Sequence, residues 1–530
     1  MTQKGFGDEP QKKEVGGSSA KSTTTVFVRE TTGLVKTVSF LDAVMLNIAN
    51  MSAGAALAVL GFTLVNIPEI SGLNLVIASL IALALSVPQV IVYTILTQKI
   101  PKTGGDYVWI SRALGGWIGA PLSFAGYTME TLAYLALIAI STVFAIGSVG
   151  VALGFQNMLG LALPGGIPGS QPLSQMLIAW TIYASLIALN IVRPKAGYKL
   201  VSAFTLFGIL TTILGILVIL YAGRPSIASY INSLGAGISY QQLASSYKGG
   251  FFSLYPTIFV LPFFAAFVYP WVNAAPAVAS EIKGKSALKW NIAISSVIVA
   301  LLLTSALGVM YYVGGMGFVN MAMSNPKLVF DYSFNFWTLA MGVAPNAFLS
   351  WLIGLGWIVW SLGILAYGII VFARYAFAQA FDRYLPEKLA YISPKYGSPV
   401  TAHLVDLLVT IALVGLAVYF YGSLQALFGA VMISMAYFAF VGIAAAIHSK
   451  KQSGITKRAL FFCGMAMAAI FSFIVYQIVS NPGVWGVNEL SYSYVVFELV
   501  LGFLIYAYSK RINAKKGVNI DLAFKEIPPD

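Results

Sequence analysis

Ionisable side chains are scarce in the long apolar runs of this chain, so the few that occur there are the first candidates for chemistry. Glu130 follows Tyr127 and Thr128 inside such a run. A carboxyl group at membrane depth is costly to insert and ordinarily pairs or works. Two readings stand for it: a proton-carrying carboxylate, or a protonated glutamate bonded to a neighbouring helix. Glu498 sits in the last apolar run and reads as structural bonding or an oligomer contact. Asp42 and Asp406 fall near segment ends, within reach of water or loop bases. His403 and Asp406 share a helical face, but two residues do not make a metal site, and His448 lies in another region. Cys463, the single cysteine, rules out an intramolecular disulfide and a cysteine-cluster metal site. No Ser–His–Asp grouping, phosphate-cradling glycine motif or HExxH is present. The expectation is no enzyme, no metal site and no cofactor, with H+ or Na+ as a possible coupling ion.

Two apolar runs are interrupted. The first contains Asn50-Met51-Ser52-Ala53-Gly54-Ala55, small and polar residues at mid-membrane depth. The sixth contains Phe267-Val268-Tyr269-Pro270-Trp271-Val272-Asn273, with a further proline at Pro276. Proline removes a helical donor and clashes with the preceding turn. Backbone groups freed in a bilayer are tolerated only inside protein or beside a watery cavity. If runs 1–5 and 6–10 are two five-helix repeats, the interruptions occupy equivalent places. That pairing is the sequence pointer to a secondary transporter's binding site.

The runs that must position these residues are about 38–64, 73–97, 117–150, 174–193, 200–221, 253–280, 289–316, 346–380, 400–421, 424–447, 459–480 and 490–509. Each is long enough for a membrane helix, which needs roughly 20 apolar residues. The chain is 58% hydrophobic and 9% charged, against about 45–50% and 25% in soluble proteins, so lipid must solvate much of it. Of the 31 Lys and Arg residues, all but Arg224, Lys248 and Lys327 fall on one side of a twelve-span alternation. Bases mark the cytoplasmic side, which predicts a multi-pass plasma-membrane protein with both termini in the cytoplasm. The charge of +13 is spread over loops rather than gathered in a stripe, so nucleic-acid binding is not expected. Residues 1–35 read as a disordered cytoplasmic tail without a secretory signal. Residues 36–516 form one membrane domain, and 517–530 a similar short tail. Three long connections on the far side, Gly154–Ser174, Gly223–Phe252 and Gly317–Ala344, are lids or packing over helix ends. The expected partners are a small-molecule substrate and the bilayer; oligomeric state stays open.

Four places resemble the amino acid–polyamine–organocation superfamily, whose members share the leucine-transporter-type fold. They are Pro101-Lys102-Thr103-Gly104-Gly105-Asp106-Tyr107-Val108-Trp109, Ser280-Glu281-Ile282-Lys283-Gly284-Lys285, and the stretch from Arg374 through Asp382-Arg383-Tyr384-Leu385-Pro386 to Lys395-Tyr396-Gly397-Ser398-Pro399-Val400. The fourth is the broken first run. The resemblance implies an all-α integral membrane fold with 12 transmembrane helices, as two inverted five-helix repeats plus two extra helices. It implies a substrate site in which Met51, Ser52, Ala53, Gly54 and Ala55 present backbone amides to a carboxylate. Phe267, Val268 and Tyr269 would supply carbonyls and an aromatic lid. Trp271 stands where many relatives have glycine, and Asn273 where they often have a carboxylate. Gly104, Gly105, Tyr107 and Glu281 become gate or loop elements, with Glu281 pairing to neighbouring lysines.

Some proton-coupled relatives carry a lysine midway along helix five. The corresponding place here is near Gly208, and Phe204–Thr212 holds no base. Two routes then remain: sodium between helices one and eight, at carbonyls near Asn50 and the Ser361 hydroxyl, or a proton on Glu130. A lone membrane serine such as Ser361 also commonly bonds its own helix. The leading expectation is a secondary active transporter of amino acids or related amines by alternating access, as symporter or exchanger. A polyamine or nucleobase transporter of the same fold is the alternative, and a non-transporting sensor or receptor the reading from a different class.

Overall fold

The computed structural model describes residues 34–164, 167–420, 427 and 429–528; most of the predicted N-terminal tail and the last two residues lie outside the described residues. Among the described residues the chain is helical, with two isolated bridges, Val38 with Ile282 and Thr103 with Val278. This follows from the solvent: without water, each backbone N–H and C=O must be paired within its own segment.

Among the described residues, eleven helices are long and apolar enough to cross a membrane: Phe40–Leu64, Leu75–Lys99, Gly116–Ala152, Pro172–Val192, Pro194–Ser233, Lys285–Gly314, Ala347–Phe381, Val400–Tyr419, Val431–Lys451, Gly454–Ser480 and Glu489–Lys515. The predicted sixth segment differs. It divides into Leu254–Phe267, an irregular stretch, and the short helix Ala274–Ala277. Spans are named below by their predicted order, so Lys285–Gly314 is the seventh and Ala347–Phe381 the eighth.

The first, third, eighth and tenth spans are mostly enclosed by protein, whereas the second, fourth, ninth, eleventh and twelfth are mostly outward-facing. Large apolar side chains such as Leu80, Leu217, Leu408, Phe462 and Leu504 cover that outer surface, as a lipid-solvated wall requires. Polar caps fix several span starts: Ser39 with Asp42 before the first, Asn346 before the eighth, Asn488 with Ser491 before the twelfth. The third span passes through a π-helical turn, Phe124–Met129, immediately before Glu130. Such bulges re-aim side chains and are frequent at functional sites.

The long connections are partly ordered into short helices, among them Leu159–Ala162, Tyr240–Ser246, Met316–Met323 and Phe336–Gly342. The C-terminal segment is not a free tail. Ile520, Ala523 and Phe524 are buried, and the Phe524 ring fills the space beside Gly116.

Candidate functional site

The first break is a single residue. Ser52 has φ 54° and ψ 41°, between the helices Phe40–Met51 and Ala53–Leu64. The left-handed region costs a non-glycine residue about 1–2 kcal/mol, and local bonds offset it here. The Ser52 hydroxyl lies 3.0 Å from the Ala49 and Asn50 carbonyls and 3.0 Å from the Tyr134 hydroxyl. The sixth break is longer. Val268 leaves the helix, the Pro270 carbonyl accepts from Gln89 Nε2 at 2.9 Å, and Trp271 Nε1 donates back to the Ala266 carbonyl at 2.8 Å. Side-chain amides join the two breaks. Asn50 Nδ2 donates to Asn273 Oδ1 at 3.0 Å, and the Ala275 N–H donates to Asn47 Oδ1 at 2.9 Å.

A cavity of about 250 Å³ extends from these breaks to the far-side connections. Ser52 and Ala55 line it from the first span, Glu130 and Tyr134 from the third, Phe267 from the sixth and Ser361 from the eighth. Ala162, Ser333 and Asn335 bring the long connections into its wall, and much of the remainder is aromatic. The other predicted substrate residues stand behind this surface. Met51 and Ala53 are buried. The Tyr269 hydroxyl bonds Ser79 at 2.7 Å, away from a lid position. Trp271 stacks on Tyr134 with ring centres 5.9 Å apart.

Gly54 is covered by packing. A Cβ there would come within 2.6 Å of the Trp360 ring, and its carbonyl accepts from Trp337 Nε1 at 2.9 Å. A Cβ on Gly208 would meet the same indole even more closely. Trp360 therefore fills the space between helices one, five and eight, where the resemblance put a fixed amine or a sodium ion. Ser361 donates to the Trp357 carbonyl of its own helix, 3.3 Å away.

The basic side is closed by buried charge. Glu281 does not pair with neighbouring lysines as expected. Arg374, counted in the sequence as a loop base, lies inside the eighth span and clamps it with bonds of 2.8 and 3.0 Å, because a planar guanidinium matches a carboxylate at two points. Tyr198 adds a third contact to Glu281 at 3.0 Å. Nearby, Arg112 holds Asp382 at 2.5 and 2.8 Å, and the Tyr107 hydroxyl donates to Asp382 at 2.7 Å. Gly105, at φ 45°, permits backbone approach to Pro276 that a Cβ would block at 2.8 Å; Gly104 does the same against Ala378. Arg112 Nε also donates to the Glu526 carbonyl at 3.1 Å, which ties the C-terminal segment to this closure.

Asp106 is the residue that sequence reasoning passed over. It is fully buried, accepts from the hydroxyls of Tyr93 (2.5 Å) and Tyr375, and faces Asn273 Nδ2 at 3.3 Å. Its position directly after Gly104-Gly105 was the available signal, since a short acid starting a helix at a buried loop needs donors. Asp406 differs from expectation too: it is buried and accepts from Tyr183 at 2.5 Å. Glu498 is also enclosed and faces the protein interior.

The family model described as amino acid permease matches residues 38–518, a stretch that includes both breaks, the cavity wall and the basic-side closure. The chain belongs to this amino acid permease family. No curated protein matches it. The permease is thus a multi-pass membrane transporter of amino acids or related compounds rather than an enzyme, and its substrate is a small molecule.

Proposed function

We propose that the permease is a secondary active transporter of neutral amino acids with apolar side chains, working by alternating access across the plasma membrane through twelve spans. The carrying observation is the cavity that begins at the two helix breaks. The N–H groups at the start of Ala53–Leu64 offer donors and a partial positive charge to a carboxylate, and the breaks supply carbonyls for an ammonium. Aromatic residues such as Phe144, Phe263, Phe267, Phe334 and Trp357 favour an apolar side chain. A polyamine would need several acids, whereas Glu130 is the single carboxylate in the described wall. The cavity faces away from the basic side, which the charge distribution assigns to the cytoplasm, so this form is outward-facing. Trp360 in the inter-helix space and the absence of a helix-five base favour a proton on Glu130 as the coupling ion.

Purified permease in liposomes, offered a radiolabelled panel under separately imposed sodium and pH gradients, tests this. Accumulation of leucine- or phenylalanine-like substrates driven by the pH gradient is expected. Transport confined to a nucleobase or a polyamine overturns the substrate reading, and accumulation driven by sodium alone overturns the coupling reading.

A further inference from the structure

Glu498 lies on the twelfth span, Glu489–Lys515, after the ten spans that the resemblance assigns to two repeats. Its neighbours Val496, Phe497 and Val500 face outward, yet Glu498 itself is completely enclosed. Neither of its carboxylate oxygens makes a hydrogen bond of ordinary geometry, although the Tyr494 hydroxyl stands beside them, and Oε2 of Glu130 is likewise without one. The twelfth span packs directly on the π-helical turn that precedes Glu130, which brings the two carboxyl groups into one neighbourhood. The twelfth span reaches Glu130 at the π-helical turn: Tyr494, one helical turn before Glu498, approaches the Met129 carbonyl at 3.5 Å through its hydroxyl. On the other side the tenth span closes on the turn, with the Ser434 hydroxyl donating to the Gly126 carbonyl at 2.8 Å. The titratable groups facing Glu130 are Tyr127 and Tyr134 of its own span, Tyr367 of the eighth, and Tyr494 and Glu498 of the twelfth. Neither acid has an ion-pair partner among the described residues.

Two neighbouring carboxyl groups without cations cannot both ionise in such surroundings, because each charge opposes the other and neither is solvated. Glu130 opens onto the cavity and Glu498 does not. We infer that Glu130 and Glu498 form a two-carboxylate proton site, in which Glu130 exchanges protons with the cavity and Glu498 is the positioning partner that sets when Glu130 is charged. This rests on the proton-coupling reading for its role in transport, but not for the existence of the pair. The balance is simple: with one proton the pair carries a single negative charge, and a second proton taken from the cavity makes it neutral.

The experiment uses the full permease in liposomes, comparing the parent, Glu498→Gln, Glu498→Asp and Glu130→Gln. Substrate exchange without a gradient reports folded carriers. The pH profile of uptake and an infrared titration of the protonated-carboxyl band report the pair. Coupled groups interact by more than about one pK unit and their two steps straddle that of a lone acid, so Glu498→Gln, which ends the sharing that stabilises the singly charged pair, is expected to move the uptake profile to higher pH by about that much. It should also remove part of the carboxyl band and shift the rest, while Glu498→Asp restores the parent profile. An unchanged profile and a band that loses only an independent component would overturn the pair. If the parent shows no pH-driven accumulation, the coupling reading fails. The band then decides alone: reciprocal shifts in Glu130→Gln and Glu498→Gln uphold the pair, and independent bands overturn it.

Discussion

The two faces of the permease treat buried charge differently. On the basic side, Glu281, Asp382 and Asp42 each have a cation within 3.3 Å, from Arg374, Arg112 and Lys199, while Asp106 and Asp406 are held by tyrosine hydroxyls instead. Toward the cavity, Glu130 and Glu498 have none among the described residues. A bidentate pair fixes two elements in one geometry at the cost of desolvating both ions. Unpaired acids hold no element in place but can change protonation. On the proposed mechanism, one face latches and the other titrates. A carrier that alternates between two openings needs a closure that is rigid while shut and a trigger that responds to an ion.

The largest effect is expected from Arg374→Ala. It strands Glu281 in a buried site, and removing one partner of such a pair costs about 3–5 kcal/mol. Thermal unfolding of the purified protein should drop sharply, and a second change, Glu281→Leu, should recover much of the loss. A single variant as stable as the parent would break the contrast, because the latch would then contribute nothing.

A middle-sized effect sharpens where the latch ends and the site begins. Gly208→Ala and Gly54→Ala both drive a methyl group into Trp360, and overpacking of this kind costs about 1–3 kcal/mol. Trp360→Leu should relieve either change, giving non-additive stabilities in a double-mutant cycle. Should Gly54→Ala instead keep full stability and lose substrate binding, Gly54 would belong to the ligand surface rather than to helix packing.

The smallest effect concerns the C-terminal segment. Burial pushes the Asp521 carboxyl up, but hydrogen bonds from Lys510 and Tyr506 outweigh it and hold it below its ordinary value of 3.8. A depressed carboxylate contributes stability above its unfolded value and loses it as pH falls through the folded one. The Lys510 contact, at 2.6 Å, is half exposed, so its worth is at most about 1 kcal/mol. A spin label at Lys525→Cys, on a Cys463→Ser background, should grow more mobile only well below about pH 4. Asp521→Asn should show that slight mobility already at neutral pH.

What the sequence made legible were features written in runs of neighbouring residues. The apolar segments, the break near Ser52, the break from Val268 to Asn273 and the isolation of Glu130 all follow from local composition and from proline's missing donor. Charge asymmetry carried the expected orientation for the same reason, since each loop's bases act on their own segment. The family could be recognised because its motifs are contiguous.

Contacts between distant segments could not be read this way. Glu281 finds Arg374 across 93 residues, and nothing in the lysines beside Glu281 signals that a guanidinium on another span would displace them. Trp360 filling both Gly54 and Gly208 is invisible without three helices side by side. Trp271 and Tyr269 sit in the sixth break as the sequence suggested, yet their rings point to Tyr134 and Ser79, because side-chain direction depends on what packs opposite. Glu498 gives the clearest case: its position in the last span suggested a peripheral group, and only the rotation of that helix on the π-turn turns it inward toward Glu130. Sequence fixes which groups are costly to bury; the tertiary structure decides which of them meet, because pairing energy falls off within a few ångströms and the chain alone does not set those distances.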